Sequence, residues 1–200
     1  LSYLPKSVEL KIEDFMSNLL QAVAIVGLVM LIALGLRTGL VVVSLVPMAI
    51  VMTFMFMGFF DIGIDQVSLA ALIIALGLLV DNGIVISESI LVQINSGTRA
   101  IEAAIATTKE LGVSLLVASM TTIAAFLPIY LAESDTGEFC APLFYVVSIC
   151  LLSSWILSVA VIPYLCVKFL KPSQQGDDQK FDTRFYHIYR NVLITVVRRP

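Results

Sequence analysis

The sequence predicts an all-α fold, a polytopic membrane helix bundle of five transmembrane helices with additional amphipathic surface helices. Of the 200 residues, 59% are hydrophobic and only 14% are charged, whereas soluble domains average roughly 45–50% apolar and about 25% charged residues. Five stretches are apolar over about 20 residues, the length that crosses a bilayer as a helix. Strands open at their edges cannot satisfy their backbone in lipid, and the roughly ten-residue alternation of an outer-membrane barrel is absent.

The five predicted spans follow one another along most of the chain. They are Leu19–Leu36, Leu40–Phe60, Val67–Val92, Leu111–Leu131 and Cys140–Val167. Residues 1–16 are predicted to be an extracytoplasmic lead-in, 17–170 the five-helix transmembrane domain, and 171–200 a cytoplasmic linker with an amphipathic surface helix over 181–197. The chain does not begin with methionine, and we expect it to be a piece of a larger membrane protein.

The connection between spans three and four is predicted to run from Asn95 to Glu110. It contains a second predicted surface helix over 98–105, because apolar residues recur there at helical spacing. Thr98 is the expected N-cap of this helix, since threonine hydroxyls accept hydrogen bonds from free amide groups at helix starts.

The charges of the connections predict the orientation of the spans. Ten of the twelve Lys and Arg residues fall on one side of the membrane, and the other side carries Lys6 and Lys11 with eight acidic residues. By the positive-inside rule, the basic side, which includes Arg37, Arg99 and the C-terminal tail, is cytoplasmic. The N-terminus and the acidic connections therefore face outward.

Asp81 is the most informative residue, because it lies near the middle of the third span with no other charge back to Asp65. An aspartate at the centre of a span opposes insertion by roughly 2.5–3.5 kcal/mol, and intramembrane carboxylates most often move protons or ions. Asp81 is interpreted either as a proton carrier or as a structural partner for a Lys or Arg on another helix. None of the five predicted spans contains such a cation, so the partner is expected outside them.

Two neighbours of Asp81 are polar candidates for a supporting role. Asn82 can form hydrogen bonds but cannot carry charge, so it orients Asp81, bridges to a water or packs between helices. Glu88 lies seven residues further along and broadly on the side of Asp81. It is either part of a proton path or an interfacial charge.

Four further residues are small or hydroxylated candidates. Gly77 and Gly83 flank Asp81, and small side chains let the backbone of a neighbouring helix approach closely, although glycine is also generally common in membrane helices. Thr121 and Thr122 in the fourth span either bond to a carboxylic acid on a facing helix or bond to their own backbone.

Several other classes are excluded by the motifs. Cys140, Cys150 and Cys166 lack disulfide or metal-site spacing and are interpreted as buried apolar residues. No zinc motif, phosphate loop or nucleotide fingerprint occurs, and an intramembrane aspartyl protease needs a second intramembrane aspartate, so no enzyme, metal or cofactor is predicted. The basic and aromatic clusters that bind nucleic acid are also absent.

The stretch Gly77-Leu78-Leu79-Val80-Asp81-Asn82-Gly83-Ile84-Val85, followed by Glu88, resembles the fourth transmembrane helix of resistance–nodulation–division (RND) efflux pumps. Three other parts are similar to the junction of helices two and three, to helix five and to the end of helix six of these pumps, namely Arg37 with Pro47, Thr121–Pro128, and Pro163–Cys166 with Leu170-Lys171-Pro172. The resemblance extends over nearly the whole chain, from Ser17 to Pro172.

This resemblance implies a multi-pass protein of the bacterial inner membrane that forms part of the proton-translocating domain of a proton antiporter, with Asp81 as the proton-translocating residue. It implies export of a hydrophobic or amphiphilic small-molecule substrate, and contact with membrane lipid and with a remaining half of the transporter that supplies a buried lysine. It also implies a homotrimer that works with a periplasmic adaptor and an outer-membrane channel.

One departure concerns the second of two adjacent aspartates that drug-exporting members often have, because Asn82 stands at that position. This leaves the proton stoichiometry open, and with it a metal-ion-exporting branch of the family. Two other readings also stay open at this point. One is a lipid-binding or lipid-exporting module of the sterol-sensing type, and the other is a purely structural membrane anchor.

Overall fold

The computed structural model describes the backbone of residues 3–133 and 135–170 and most side chains from residue 17 onward. In these ranges the chain forms helices without strands: α1 (Tyr3–Phe59), α2 (Gln66–Asn95), α3 (Ala100–Tyr130) and α4 (Asp135–Phe169). Five helical segments within them are long and apolar enough to cross a membrane, which confirms the predicted all-α membrane class. The surface helix predicted over 181–197 lies outside the described residues.

Helix α1 reverses direction at Gly35. This residue has φ 77° and ψ 166°, a conformation that glycine adopts without the steric cost of a side chain. A Cβ atom on Gly39 would lie 2.9 Å from Leu31 Cα, whereas eight residues of straight helix span about 12 Å. The chain therefore folds back, and α1 consists of a first arm (Ser17–Leu36) and a second arm (Thr38–Phe59).

Helix α2 begins with a reciprocal pair of hydrogen bonds. The amide of Ser68 donates to the Asp65 carboxylate at 2.7 Å, and the amide of Asp65 donates to the Ser68 hydroxyl at 2.8 Å. This capping box satisfies two amide groups that have no partner within the helix. It places the start of α2 directly after the connection that leaves the second arm of α1.

Helix α3 differs from the prediction in its N-terminal part. It runs without interruption from Ala100 to Tyr130 and its N-cap is Arg99, whose side chain makes no capping hydrogen bond. The separate surface helix, the long connection from Asn95 to Glu110 and the Thr98 cap were therefore wrong predictions. The polar residues before Leu111 are the first turns of α3. The 31 residues of this helix measure about 46 Å, whereas the hydrocarbon is roughly 30 Å thick, so its polar end extends beyond the hydrocarbon.

Helices α2 and α4 form the centre of the bundle. They pack against each other, and both contact α1 and α3, whereas the described parts of α1 and α3 do not contact each other. Large apolar side chains of α2 fill the core and are almost completely buried: Leu72, Leu76, Leu79, Ile86 and Ile90. The first arm of α1 and most of α3 remain at the periphery, where lipid or further protein would cover them.

The cysteines and the tryptophan belong to this packing. Cys150 and Cys166 are buried, as predicted, whereas Cys140 is only partly buried, and all three are free thiols. The Trp155 indole on α4 donates a hydrogen bond of 2.8 Å to the carbonyl oxygen of Gly112 on α3. This bond ties α4 to the backbone of α3.

Candidate functional site

Asp81 lies on the one face of α2 that the other described helices leave uncovered. Exposed residues recur along α2 at intervals of three or four, and we call them the open face of α2: Ala70, Ile74, Gly77, Asp81, Val85, Glu88 and Val92. All positions between them are buried or partly buried. The structure thus places Gly77, Asp81 and Glu88 on one side of the helix, in agreement with the helical geometry.

The Asp81 carboxylate has no partner within the part of the chain that the structure describes. The ion pair found there joins Arg99 to Glu102, at 4.0 Å, in the first turn of α3. On α3, Ser119 lies at the level of Asp81, because it accepts a hydrogen bond from the neighbouring Asn82. Lys109 is ten helical residues from Ser119, which corresponds to about 15 Å along the axis of α3. A cation that reaches Asp81 therefore has to approach the open face from outside the described bundle.

Asn82 turns away from the open face and into the protein. Its side chain is 6% exposed, and its Nδ2 atom donates a hydrogen bond of 3.2 Å to the hydroxyl of Ser119 on α3. Asn82 thus links two helices, and Asp81 is not its hydrogen-bond partner. Sequence reasoning missed Ser119, because nothing local distinguishes it from Ser114 on the same helix.

The two glycines near Asp81 have opposite surroundings. A Cβ atom on Gly83 would lie 2.5 Å from Leu45 Cδ1 on the second arm of α1, so Gly83 allows α1 and α2 to approach closely. Gly77 has no atom within 4 Å of its Cβ position. Because Gly77 lies one turn from Asp81 on the open face, it leaves space there for an additional helix.

The remaining candidates do not gather around Asp81 in the described bundle. The hydroxyls of Thr121 and Thr122 donate to backbone oxygens of their own helix, those of Val117 and Ala118, at 2.9 and 3.1 Å. Glu88 is exposed on the open face, about 10 Å along the helix axis from Asp81. Any role of these residues in proton movement remains a prediction.

A second set of polar contacts joins α2 to α3 nearer the predicted cytoplasmic side. Gln93 Nε2 donates to Thr107 Oγ1 at 3.1 Å, and the hydroxyls of Ser89 and Thr107 are 3.3 Å apart. Hydrogen bonds between membrane helices contribute about 0.6 kcal/mol on average and at most about 1.7 kcal/mol. Together with Asn82 and Ser119, these residues form a polar seam that sequence reasoning did not find.

The fold and the site define a polytopic α-helical membrane protein with a carboxylate that is unpaired, among the described residues, in the middle of a span. The chain belongs to the AcrB/AcrD/AcrF family, whose model matches residues 5–200. The resemblance to RND efflux transporters is thereby confirmed. The match indicates a transporter rather than an enzyme and does not favour a module of the sterol-sensing type.

Three curated relatives share the name multidrug resistance protein MdtC. The one from Pantoea ananatis is 32% identical over 167 residues, which are 83% of this chain and 16% of the relative. The one from Escherichia coli O139:H28 is 29% identical over 177 residues, 87% of this chain and 17% of the relative. The one from Yersinia enterocolitica is 27% identical over 190 residues, 88% of this chain and 19% of the relative. The chain therefore spans less than a fifth of the length of these relatives.

Proposed function

We propose that this chain is part of the proton-translocating transmembrane domain of an RND-type efflux pump and that Asp81 binds and releases the transported proton. The observation that carries the proposal is a carboxylate on the open face of α2 that has no partner among the described residues. A charge in the middle of a span opposes insertion into the membrane. A role in proton transport explains why the sequence has an aspartate there nevertheless. Membership of a transporter family supports the same role.

The open face of α2 suggests how Asp81 works. A lysine of the remaining half of the transporter would approach this face and attract the ionised carboxylate, and Gly77 leaves space for the helix that carries it. Protonation of Asp81 removes the attraction, so the two helices are free to shift. A proton that crosses the membrane releases about 2.3 kcal/mol per 100 mV of membrane potential, and this free energy would drive the shift.

We also propose a substrate class, a membrane and partner proteins for the pump. The name of the relatives, multidrug resistance protein, supports export of hydrophobic or amphiphilic small molecules. We place the protein in the bacterial inner membrane, as a homotrimer that works with a periplasmic adaptor and an outer-membrane channel. With Asn82 beside Asp81, one carboxylate at this point of α2 would carry the proton.

The decisive experiment replaces Asp81 by asparagine in the full-length protein. Asp81→Asn keeps the shape of the side chain but cannot take up a proton, so export of a fluorescent dye and dye-driven proton flux in inverted vesicles should both be lost. Asp61→Asn is the matched control, because Asp61 lies in the exposed connection before α2 with φ 56°, a conformation that asparagine tolerates. Export by Asp81→Asn at the rate of the Asp61→Asn control would refute the proposal.

A further inference from the structure

Small and polar residues are prominent among the buried residues of α3, which packs against both α2 and α4. The buried residues of α3 are Ala103, Ala104, Thr107, Gly112 and Ser119, with no large apolar side chain among them. The centre between α2 and α4 is filled mainly by apolar side chains, and the buried Ser154 hydroxyl of α4 donates a hydrogen bond to the carbonyl oxygen of Leu79 on α2. The hydrogen bonds of the polar seam connect α3 directly to α2, while Leu115, Ile123 and Phe126 of α3 are partly buried against the core.

Asn82 occupies a special place in the polar seam because it directly follows Asp81. Any displacement of α2 at Asp81 moves the Asn82 amide with it, since both belong to the same helical turn. The other seam residues of α2, Ser89 and Gln93, lie seven and eleven positions further from the point where the charge changes. Asn82 is thus the first link between the proposed proton site and α3.

The amide of Asn82 is suited to such a link. An amide keeps its two donors and its acceptor regardless of pH, whereas an aspartate at the same position would itself change charge. The hydrogen bond from Asn82 to Ser119 is therefore available in both protonation states of Asp81. It does not compete for the proton.

We propose that Asn82 is a positioning residue that makes α3 follow the movement of α2 when Asp81 gains or loses its proton. This inference rests on the proposed function of Asp81. Because the described parts of α1 and α3 do not contact each other, α3 receives a movement of α2 either through the seam or through α4. The seam contact at Asn82 is the direct route.

The other titratable groups of the packed helices lie too far away, or titrate at too high a pH, to explain a pH-dependent movement at the contact between Asn82 and Ser119. The described titratable or charged groups at or beyond the helix ends and on α3 and α4 are Asp61, Asp65, Arg99, Glu102, Lys109, Glu110, Tyr130, Glu133, Cys140, Tyr145, Cys150, Tyr164, Cys166 and Lys168. Cysteine and tyrosine ordinarily titrate above pH 8. The charged side chain of α3 nearest to Ser119 along the helix, Glu110, is nine residues or about 13 Å away, and Glu88 is the nearest acid on α2 itself.

The test follows α2 and α3 separately in the full-length protein. After replacement of the native cysteines, a single cysteine at Val85 on α2 or at Val117 on α3 carries an environment-sensitive bimane label. In the described bundle these two positions are 42% and 59% exposed. The emission of each label is recorded between pH 8 and pH 5, and the same measurement on Asp81→Asn removes direct effects of pH on the dye and any response of Glu88.

We expect a pH-dependent emission shift at both positions in the parent protein and at neither in Asp81→Asn. In Asn82→Ala the shift at Val85 should remain and the shift at Val117 should be lost, and Ser119→Ala should behave like Asn82→Ala. Retention of the Val85 response shows that the variant is folded and still titrates. Thr107→Val, which removes the other contact of the seam, should leave the response at Val117 in place.

Three other outcomes would contradict the coupling of α3, the special role of Asn82 or the proton role of Asp81. A parent protein that shifts at Val85 but not at Val117 overturns the coupling of α3 and leaves the proton role of Asp81 intact. Persistence of the Val117 shift in Asn82→Ala, or its equal loss in Thr107→Val, overturns the special role of Asn82. Absence of a shift at Val85 in the parent protein contradicts the proposed function and the inference together.

Discussion

Gly83 provides a quantitative test of the packing between α2 and the second arm of α1. Replacement by alanine would place a Cβ atom 2.5 Å from Leu45 Cδ1, with Ser158 Oγ and Ile162 Cδ1 at 3.7 and 3.8 Å. Carbon atoms pack at about 3.5–4.0 Å, so the Leu45 side chain has to move by roughly 1 Å. Leu45 is only 1% exposed, and its neighbours leave it little room.

The expected size of the effect follows from two opposing contributions. Overpacking of a core costs about 1–3 kcal/mol, while alanine in place of glycine stabilises a helix by about 1 kcal/mol. The net loss for Gly83→Ala is therefore about 0–2 kcal/mol, which alone is a weak test. The combination with Leu45→Val is stronger, because valine lacks the δ-carbon that the new methyl group would meet.

The assay is a double-mutant cycle on the free energy of unfolding of the full-length protein, measured by SDS titration in mixed micelles. The double variant Gly83→Ala with Leu45→Val should be more stable than the sum of the single effects, by about 0.5–3 kcal/mol. Gly77→Ala with Leu45→Val is the matched control and should be additive within about 0.5 kcal/mol, because Gly77 has no neighbour within 4 Å of its Cβ position. Additivity at Gly83 as well would refute the close contact.

Two further predictions concern single hydrogen bonds. Trp155→Phe removes the donor to Gly112 and should lower the free energy of unfolding in the same titration by about 0.6–1.7 kcal/mol; an unchanged value would contradict this contact between α3 and α4. Asp65→Ala removes the cap of α2 and should destabilise its first turn by about 1 kcal/mol, seen as faster hydrogen exchange of the Ser68 amide. Asp65→Asn should retain most of the protection, and equal exchange in both variants would argue against the cap.

The number of spans and the place of Asp81 were predictable because each depends on a short stretch of chain. A membrane helix satisfies its own backbone hydrogen bonds, so about 20 apolar residues predict a span wherever the rest of the protein lies. The start of α3 was mispredicted for the same local reason. Charged residues before Leu111 were assigned to a connection with a separate surface helix, although they continue α3 beyond the hydrocarbon.

The contacts of the candidate site were not predictable in the same way. Gly77 and Gly83 had the same interpretation from sequence, but one faces open space and the other meets Leu45. Asn82 was expected to orient Asp81, to bridge to a water or to pack between helices, and only the packing of α3 identified Ser119 as its partner. These differences arise because neighbouring residues on a helix point about 100° apart and therefore meet different helices.

The sequence by itself determined the membrane class, the five spans and an ionisable group inside one of them, because the low polarity of hydrocarbon imposes these features segment by segment. The tertiary structure decided which face of α2 stays open, which glycine is packed and how α3 is attached. Those features depend on which helix faces meet, and that choice is made by side chains far apart in the chain.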